Sequence, residues 1–432
     1  MSANTLSGLL LERCATTPNA VAVRQRRLGI WTPITWAGLR DNAARIGNGL
    51  AAKGVKAGDV VALVGDDCLE LLAAEHAVLG LGAVALVLAP DYSPETTAAL
   101  VHEQGANVVI VGDQEQYDKF VYGTTPGPTV VIVVATRGLR ELEMAGRVDR
   151  ATRSTLRQLI DDAGTEASWL TLAAARSPSD VAVRLGAIVG TDVVVTESTH
   201  AELITAASSA STSLHLQPNS TILAQRTLSE ADEQVLSVGA AVLTGATVVF
   251  GEGGVLGASE VSQVQPTHFR PSARWLAGIA ADARKRNVET TGIKKFVLRR
   301  GLPEMSPAPT ARPRSTISPA RFIGIAMTVV SFAFLLVSTG LNDWLRLLVL
   351  AILGMASIFL LAWVPGAVAV PIRRRYGLGR AHSLVASNAE TESGIAFLGQ
   401  LGVPLVALEP VVGRIVSRVQ SSLLAARAGG QA

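Results

Sequence analysis

Apolar and polar positions alternate between two periods along the first third of the chain. Thr35 precedes a stretch in which Leu39, Ala43, Ile46 and Leu50 share one helical face, and Gly54 stands where that helix should stop. VVALVG (60–65) is a short apolar run after a Gly-Asp turn, the pattern of a strand buried on both faces. CLELLAAEHAVLGLG reads as the next helix, AVALVL (83–88) as the next strand, Pro94 to Gly105 as a helix, and VVIVG (108–112) as a strand. The rhythm resumes with a strand over 181–189, helices over 199–210 and 230–243, a strand ATVVF (246–250) and a helix over 271–285. It returns with HSLVAS, a helix near 390–401, and VPLVAL. Strands and helices at this spacing predict an α/β fold with doubly wound, mostly parallel sheets. Residues 137–178 show no strong strand pattern and read as a peripheral helical insertion.

A different pattern interrupts this rhythm. FIGIAMTVVSFAFLLVSTG (322–340) and LLVLAILGMASIFLLAWVPGAVAV (347–370) carry no charge and are separated by LNDWLR. Each is long enough to span a hydrocarbon layer as a helix, so the pair predicts a two-helix transmembrane hairpin from Phe322 to Val370. Trp344 suits an interfacial position, and Pro365 should kink or end the second span. Arg312, Arg314 and Arg321 precede the pair and Arg373, Arg374 and Arg375 follow it, while the loop between holds Asp343 and Arg346. The positive-inside rule therefore predicts a two-span membrane protein with the soluble domain and both termini on the cytoplasmic side. The expected organisation is a body over 1–300, a Pro/Ser-rich linker over 301–321, the hairpin over 322–370, a returning α/β segment over 371–409 and an amphipathic helix over 410–432. In that last helix Val412, Ile415, Val419 and Leu423 recur at helical spacing beside Arg414 and Arg418. It suits an anionic bilayer surface or the covering of an open sheet face.

Charge and cysteine content narrow the classes. Net charge is +3, which does not ask for nucleic acid as a partner. Cys14 and Cys68 stand in no metal or redox spacing and read as buried, reduced thiols. Asp66-Asp67 follows a strand, where a sheet crevice could take a ligand or a turn could be solvated. GEGGVLG (251–257) reads as a surface loop, since no phosphate-binding lysine lies in its segment. His200 with Glu197 and Glu202 could be drawn as a metal site or as a helix start. No GxSxG, HExxH or CxxC occurs.

Several blocks carry a family resemblance. The stretch from WTPITWAGLRDNAARIGNGL through VVIVGDQEQYDKF, then EADEQVLSVGAAVLTGATVVFGE (230–252), QPTHFRPSARWLAGI (265–279) and GLGRAHSLVASNAETESGIAFLGQLGVPLVALE (377–409) resemble the AMP-forming acyl-CoA synthetases and adenylating enzymes, closest to the long-chain fatty acid branch. The resemblance implies a synthetase-like α/β body and, in an active member, ATP, Mg and CoA as reactants. It also shows where this chain departs from the family. The family's phosphate loop resembles TSGTTGxPKGVxxTH; here the equivalent reads GAIVGTDVVVTESTH. Gly190 and Thr191 remain of the small-residue cluster, Val194 stands at the lysine position, and Thr199 and His200 match the end. No lysine occurs between Lys119 and Lys285. The adenine loop, Gly-Gly-Ala-Pro in the family, reads Ser387, Asn388, Ala389 and Glu390. The family's histidine before the 230–252 helix is Glu230, and the sequence ends at Ala432 before the family's ribose-binding aspartate and C-terminal lysine.

These departures imply a pseudoenzyme with no catalytic residues, no metal site and no cofactor: a membrane-anchored scaffold or accessory subunit in acyl or lipid handling, partnered by the bilayer and by another protein. The resemblance leaves two alternatives. One is a carrier that binds a fatty-acyl ligand without catalysis; the other is a residual long-chain fatty acid-CoA ligase completed by a partner chain, for which ATP, Mg and CoA would be required.

Overall fold

The computed structural model describes residues 4–121, 130–133, 152–163, 168–189, 192–225, 227–252, 258–289, 371–386 and 401–407, with isolated positions at 344, 348, 349, 352 and 398. The chain divides into two compact units, one formed by Met1–Leu256, Pro266–Arg270 and Val406–Ala432, the other by Gly257–Gln265 and Pro271–Leu405.

In the first unit the strands are β1 (Val21–Arg27), β2 (Ile30–Thr35), β3 (Val60–Val64), β4 (Val84–Leu88), β5 (Ala106–Val111), β6 (Val130–Val133), β7 (Thr152–Thr155), β8 (Val181–Val189), β9 (Asp192–Thr199), β10 (Thr221–Leu223), β11 (Thr247–Phe250) and β12 (His268–Phe269). Helices α1 (Leu6–Thr16), α2 (Trp36–Ala52), α3 (Leu69–Leu81), α4 (Pro94–Glu103), α5 (Gln114–Val121), α6 (Leu156–Asp161), α7 (Ser168–Ala174) and α8 (His200–Leu214) separate the first ten of these. A composite helix follows: α9 (Ala231–Glu233), a π-helical segment over Gln234–Ala240, and α10 (Ala241–Thr244).

One sheet runs in the order β7-β6-β5-β3-β4-β8-β9 and is parallel except for its last pair. In the other, the unit's strands run β12-β10-β11-β1-β2, parallel except for the β1–β2 hairpin. This is the expected α/β architecture with mixed sheets.

Local chemistry explains why the predicted elements start and stop where they do. The Thr35 hydroxyl accepts the Gly38 N–H at 3.1 Å and opens α2. Ser93 accepts the Thr96 N–H ahead of Pro94, whose fixed φ suits the first turn of α4. Gly82 ends α3 at φ 77°, a left-handed conformation that a side chain would strain. Every residue of α3 from Leu71 to Leu81 is buried, which is why its apolar pattern shows little amphipathic bias.

Part of the region expected to be a peripheral helical insertion supplies an edge strand and a core side chain. Residues 152–174 contribute β7, α6 and α7, and Trp169 on α7 is fully buried. Its indole Nε1–H donates to the Ala77 carbonyl at 2.8 Å, and its backbone N–H donates to Asn48 Oδ1 at 3.0 Å. The ring fits because α2 and α3 present glycines to it. A Cβ on Gly47 would stand 2.0 Å from Trp169 Cδ1, and one on Gly80 would stand 2.4 Å from Cε2. Two small-residue gaps hidden inside helical patterns carried no sign of the wedge that fills them.

In the second unit α11 (Ala258–Val264), α12 (Ala273–Glu289) and β13 (Ser383–Ala386) are joined by contacts around Tyr376. The Tyr376 hydroxyl donates to Asp282 Oδ2 at 2.7 Å. Gly377 passes so close to α11 that a Cβ would lie 2.3 Å from the Val261 carbonyl oxygen. Arg373 donates to the carbonyls of Leu378 and Ala381 at 3.1 and 2.8 Å.

The expected membrane placement is corrected here. Among the described residues no helix is long and apolar enough to cross a membrane. The charge pattern used to orient the spans also has another use, since Arg373, read as a flanking charge, caps backbone carbonyls within its own unit. The bulk of the 322–370 stretch, the 301–321 linker and the 410–432 tail lie outside the described residues.

Replacing Trp169 by Ala should cost about 3–5 kcal/mol of stability. Gly80→Ala should destabilise by overpacking, on the order of 1–3 kcal/mol. Chemical denaturation of each variant measures this, and unchanged midpoints would show that the wedge does not bear on stability.

Candidate functional site

The stretch equivalent to the phosphate loop forms a β-hairpin. β8 and β9 pair antiparallel from Val181↔Thr199 to Val189↔Asp192, so only Gly190 and Thr191 connect the strands. Val194 lies opposite Ala187 in this register. Tyr92 donates its hydroxyl to the Gly186 carbonyl at 2.8 Å and fixes β8 from the side of the β4–α4 connection. Arg184 and Glu197 pair across the hairpin at 3.4 Å.

Thr199 and His200 serve the start of α8. The Thr199 hydroxyl accepts the Glu202 N–H at 3.2 Å, and the Glu202 carboxylate accepts the Thr199 N–H at 3.0 Å, a reciprocal capping box. His200 is buried, and its Nδ1 accepts the Leu6 N–H at 3.3 Å, which docks the start of α1. With Glu202 committed to the cap and Glu197 to Arg184, these three side chains are held by structural partners. No group of three His, Cys, Asp or Glu side chains arranged to hold a metal occurs among the described residues.

Lys119 lies far along the sequence from this hairpin and is already engaged. Its ammonium donates to the carbonyls of Pro90 and Tyr92, and burial lowers its pKa. Ser387, Asn388 and Ala389 of the adenine-loop equivalent fall outside the described residues, as do Gly190 and Thr191 themselves.

A second feature lies at the carboxyl ends of β1, β3, β5 and β11, where a crevice of about 490 Å³ opens. Asp66 and Asp67 line it with Arg26, Arg27, Asp113 and Glu252. Of the two readings of Asp66-Asp67, a crevice or a solvated turn, the lining agrees with the crevice. Its walls are fixed by the protein itself: Glu252 accepts the Leu28 and Gly29 N–H groups at 2.8 and 3.0 Å, and Arg27 pairs with Glu70. Gly251 and Glu252, the described start of the glycine-rich stretch, belong to this wall.

Sequence reasoning missed the buried polar groups of the first unit. His76 on α3 is held down to about 4 by burial and by the neighbouring His200, which burial also lowers to about 4. Beside His76 on the same helix, Glu75 is fully buried, and burial pushes its carboxyl up to about 8. The signal was present as a Glu-His pair inside the otherwise apolar CLELLAAEHAVLGLG.

With this geometry in place, the relatives can be set beside it. Residues 10–184, from within α1 to within β8, match the model of the AMP-binding enzyme family. Over 110 residues, 26% of this chain, the sequence is 32% identical to indigoidine synthase of Streptomyces lavendulae, of which it covers 8%. The fold is shared with a Rhodopseudomonas palustris protein provisionally named a long-chain-fatty-acid CoA ligase, at a TM-score of 0.52 and 19% identity over 63% of this chain and 64% of that one. It is shared too with the nonribosomal peptide synthetase FmoA3, at a TM-score of 0.51 and 20% identity over 68% of this chain and 28% of that one. The chain thus spans less than two thirds of each of these proteins. Its fold is that of ligases and adenylation domains, the resemblance read from the sequence.

Both buried histidines are neutral in the folded state and would ionise near 6.5 when unfolded. Their contribution to stability is therefore present above about pH 6.5 and is lost as pH falls towards 4, on the order of 2–3 kcal/mol for each. Urea unfolding between pH 7 and pH 4.5 should show this loss, and His200→Asn, which keeps an acceptor for the Leu6 N–H and leaves His76 in place, should cut it to about half. An equal slope in that variant would assign the loss to other groups.

Proposed function

We propose that this chain is an adenylation-fold protein that does not adenylate and that acts as a scaffold or accessory subunit for a protein of acyl handling. The observation that carries the reading is the β8–β9 hairpin, whose strands stay paired to within two residues of each other. Activating a carboxylate with ATP brings two anions together. That requires a loop of backbone N–H donors around the phosphates and a cation to offset their charge. The N–H groups on either side are taken up in strand pairing as far as Val189 and Asp192, and the lysine position is Val194, paired opposite Ala187. Thr199 and Glu202 at the end of the motif are spent on capping a helix. The residues at this position do not fit a nucleoside triphosphate, and no reaction step is assigned to one. Loss of a single charge-stabilising donor typically costs about 10²–10³ in turnover, so losing the loop and the lysine together removes the basis for the reaction. The link to acyl handling rests on the resemblance to the fatty acid branch, and the partner on the fold having outlasted its phosphate-binding parts.

The test is direct. Purified chain incubated with ATP, Mg and a panel of fatty acids and amino acids should release no pyrophosphate above a heat-treated control and form no acyl adenylate. Adenylate formation by the chain alone would sink the reading. Affinity purification at native expression should recover a partner at a fixed stoichiometry.

A further inference from the structure

The β1–β2 hairpin ends in a turn that its own sequence does not favour. Leu28 and Gly29 connect the strands, with Arg27 and Ile30 as the closing pair. Two-residue hairpin turns ask for positive φ, which is why Asn-Gly and Asp-Gly are the usual choices. Here a leucine takes φ 48° ahead of Gly29 at φ 79°. A bulky side chain is strained in that conformation. Packing does not offset the strain, since Leu28 is 91% exposed and Ile30, just beyond the turn, is 69% exposed. A strained backbone that serves no packing is grounds for seeking a function.

The exposed turn is also firmly held. Glu252 accepts the Leu28 and Gly29 N–H groups at 2.8 and 3.0 Å, Gln25 accepts the Leu69 N–H at 2.9 Å, and Arg27 pairs with Glu70. Gln25 and Arg27 lie on one face of β1, so two of these anchors tie that face to the start of α3. Alternation along the strand puts Arg24 and Arg26 on the other face. Both guanidinium groups stand 5.8 Å from the centre of the Trp31 ring on β2. Stacking there orders two long side chains before any partner arrives, which lowers the entropy lost on binding. Trp and Arg are the residue types that most often dominate the energy of protein interfaces.

Charge and edge geometry decide which occupant suits this hairpin. Residues 21–35 hold Arg24, Arg26 and Arg27 and no acidic residue. A second copy of the hairpin would set arginines against arginines. β2 ends the strand order of its sheet, yet Pro33 removes one N–H donor from that edge, so an added strand is disfavoured. An amphipathic helix fits better, bringing apolar residues to Leu28, Ile30 and Trp31 and carboxylates to Arg24 and Arg26. Arginine forks can take carboxylates while their planes stay stacked on an aromatic ring.

We propose that the β1–β2 hairpin is the docking surface for an acidic amphipathic helix of a partner protein, with Leu28 as the apolar anchor and Arg24 and Arg26 as the charge contacts. The existence of a partner rests on the accessory role proposed above, whereas the chemistry of its contacting face rests on these residues alone.

A labelled synthetic helix with leucines on one face and glutamates on the other, titrated with the full chain and followed by fluorescence anisotropy, tests the surface. Its counterpart with glutamine for every glutamate should bind about tenfold more weakly. Leu28→Asn keeps the turn, since asparagine tolerates positive φ, and should raise the thermal midpoint while weakening the acidic helix about tenfold. R24E should also weaken it about tenfold, with the loss shrinking at high salt. Equal affinity for both helices, or unchanged affinity in Leu28→Asn, overturns the proposal. A Leu28-dependent dimer overturns it in favour of a second copy. Tighter Leu28-dependent binding to phosphatidylglycerol–phosphatidylcholine vesicles than to the acidic helix overturns it in favour of a lipid surface. Affinity purification separates the surface from the accessory role. Loss of the stoichiometric partner in both variants supports the two together. A partner recovered equally from wild type and variants overturns the docking surface and leaves the role standing. Acidic-helix binding with the expected variant losses, but no partner, supports the surface and removes the role.

Discussion

The complete enclosure of α3 is the constraint from which most of this structure follows. A helix buried on every side must meet neighbours at van der Waals distance all round, and it can afford no Cβ where a large ring arrives. Gly80 is where Trp169 arrives from α7, with Gly47 clearing the same ring on α2. The same enclosure decides the state of its polar residues. Glu75 and His76 cannot reach water, so each is held in its neutral form, one by keeping a proton and the other by refusing one. A single packing fact thus sets the position of α7, the path of residues 168–174 and the ionisation of two adjacent side chains.

The hairpin of β8 and β9 is held by interactions that do not involve a ligand. Strand pairing, the capping box at Thr199 and Glu202, and the Leu6 contact to His200 are all local or core interactions, and they persist without reference to phosphate. What a phosphate loop needs is the opposite kind of structure, backbone amides left without strand partners and pointed at an anion. The chain has closed that opening by continuing the ladder to Val189↔Asp192. Sheet stability and anion binding compete for the same N–H groups, and here the sheet has taken them. A shared fold therefore does not by itself carry the chemistry found on it.

Much of this was legible in the sequence, and what was not had a common cause. β3, α3, β4, α4 and β5 follow from period alone because each is regular, short-connected and bounded by Gly, Pro or a capping hydroxyl. Thr35 and Pro94 act as read. The weakened phosphate motif was legible as missing residues, but its conversion into a paired hairpin was not, because DVVVTEST could as well have been a loop leading to a helix. Trp169 was illegible for a different reason: its burial depends on gaps in two helices more than eighty residues upstream. The long apolar runs lie almost wholly outside the described residues. They matched the length rule for spans, yet length and charge flanks describe only what a segment could do in lipid, and no described helix meets the requirement.

The π-helical turn connects these themes. A π segment costs hydrogen-bond geometry, and it persists where the altered register places side chains that an α-helix would point elsewhere. Here it places Gln234 against the Leu228 carbonyl and sets Ser237 on Glu233, four residues apart. The second contact sits on an acid that burial, with Asp67 adding to it, holds well above the usual carboxylate range. A buried carboxyl that only filled space would be replaced at no loss by an apolar residue of its size. Glu75 stays a carboxylic acid in that enclosure, its pKa raised to about 8 by burial while the Gln234 side chain opposes the rise, so its neutral form is the one the core accommodates.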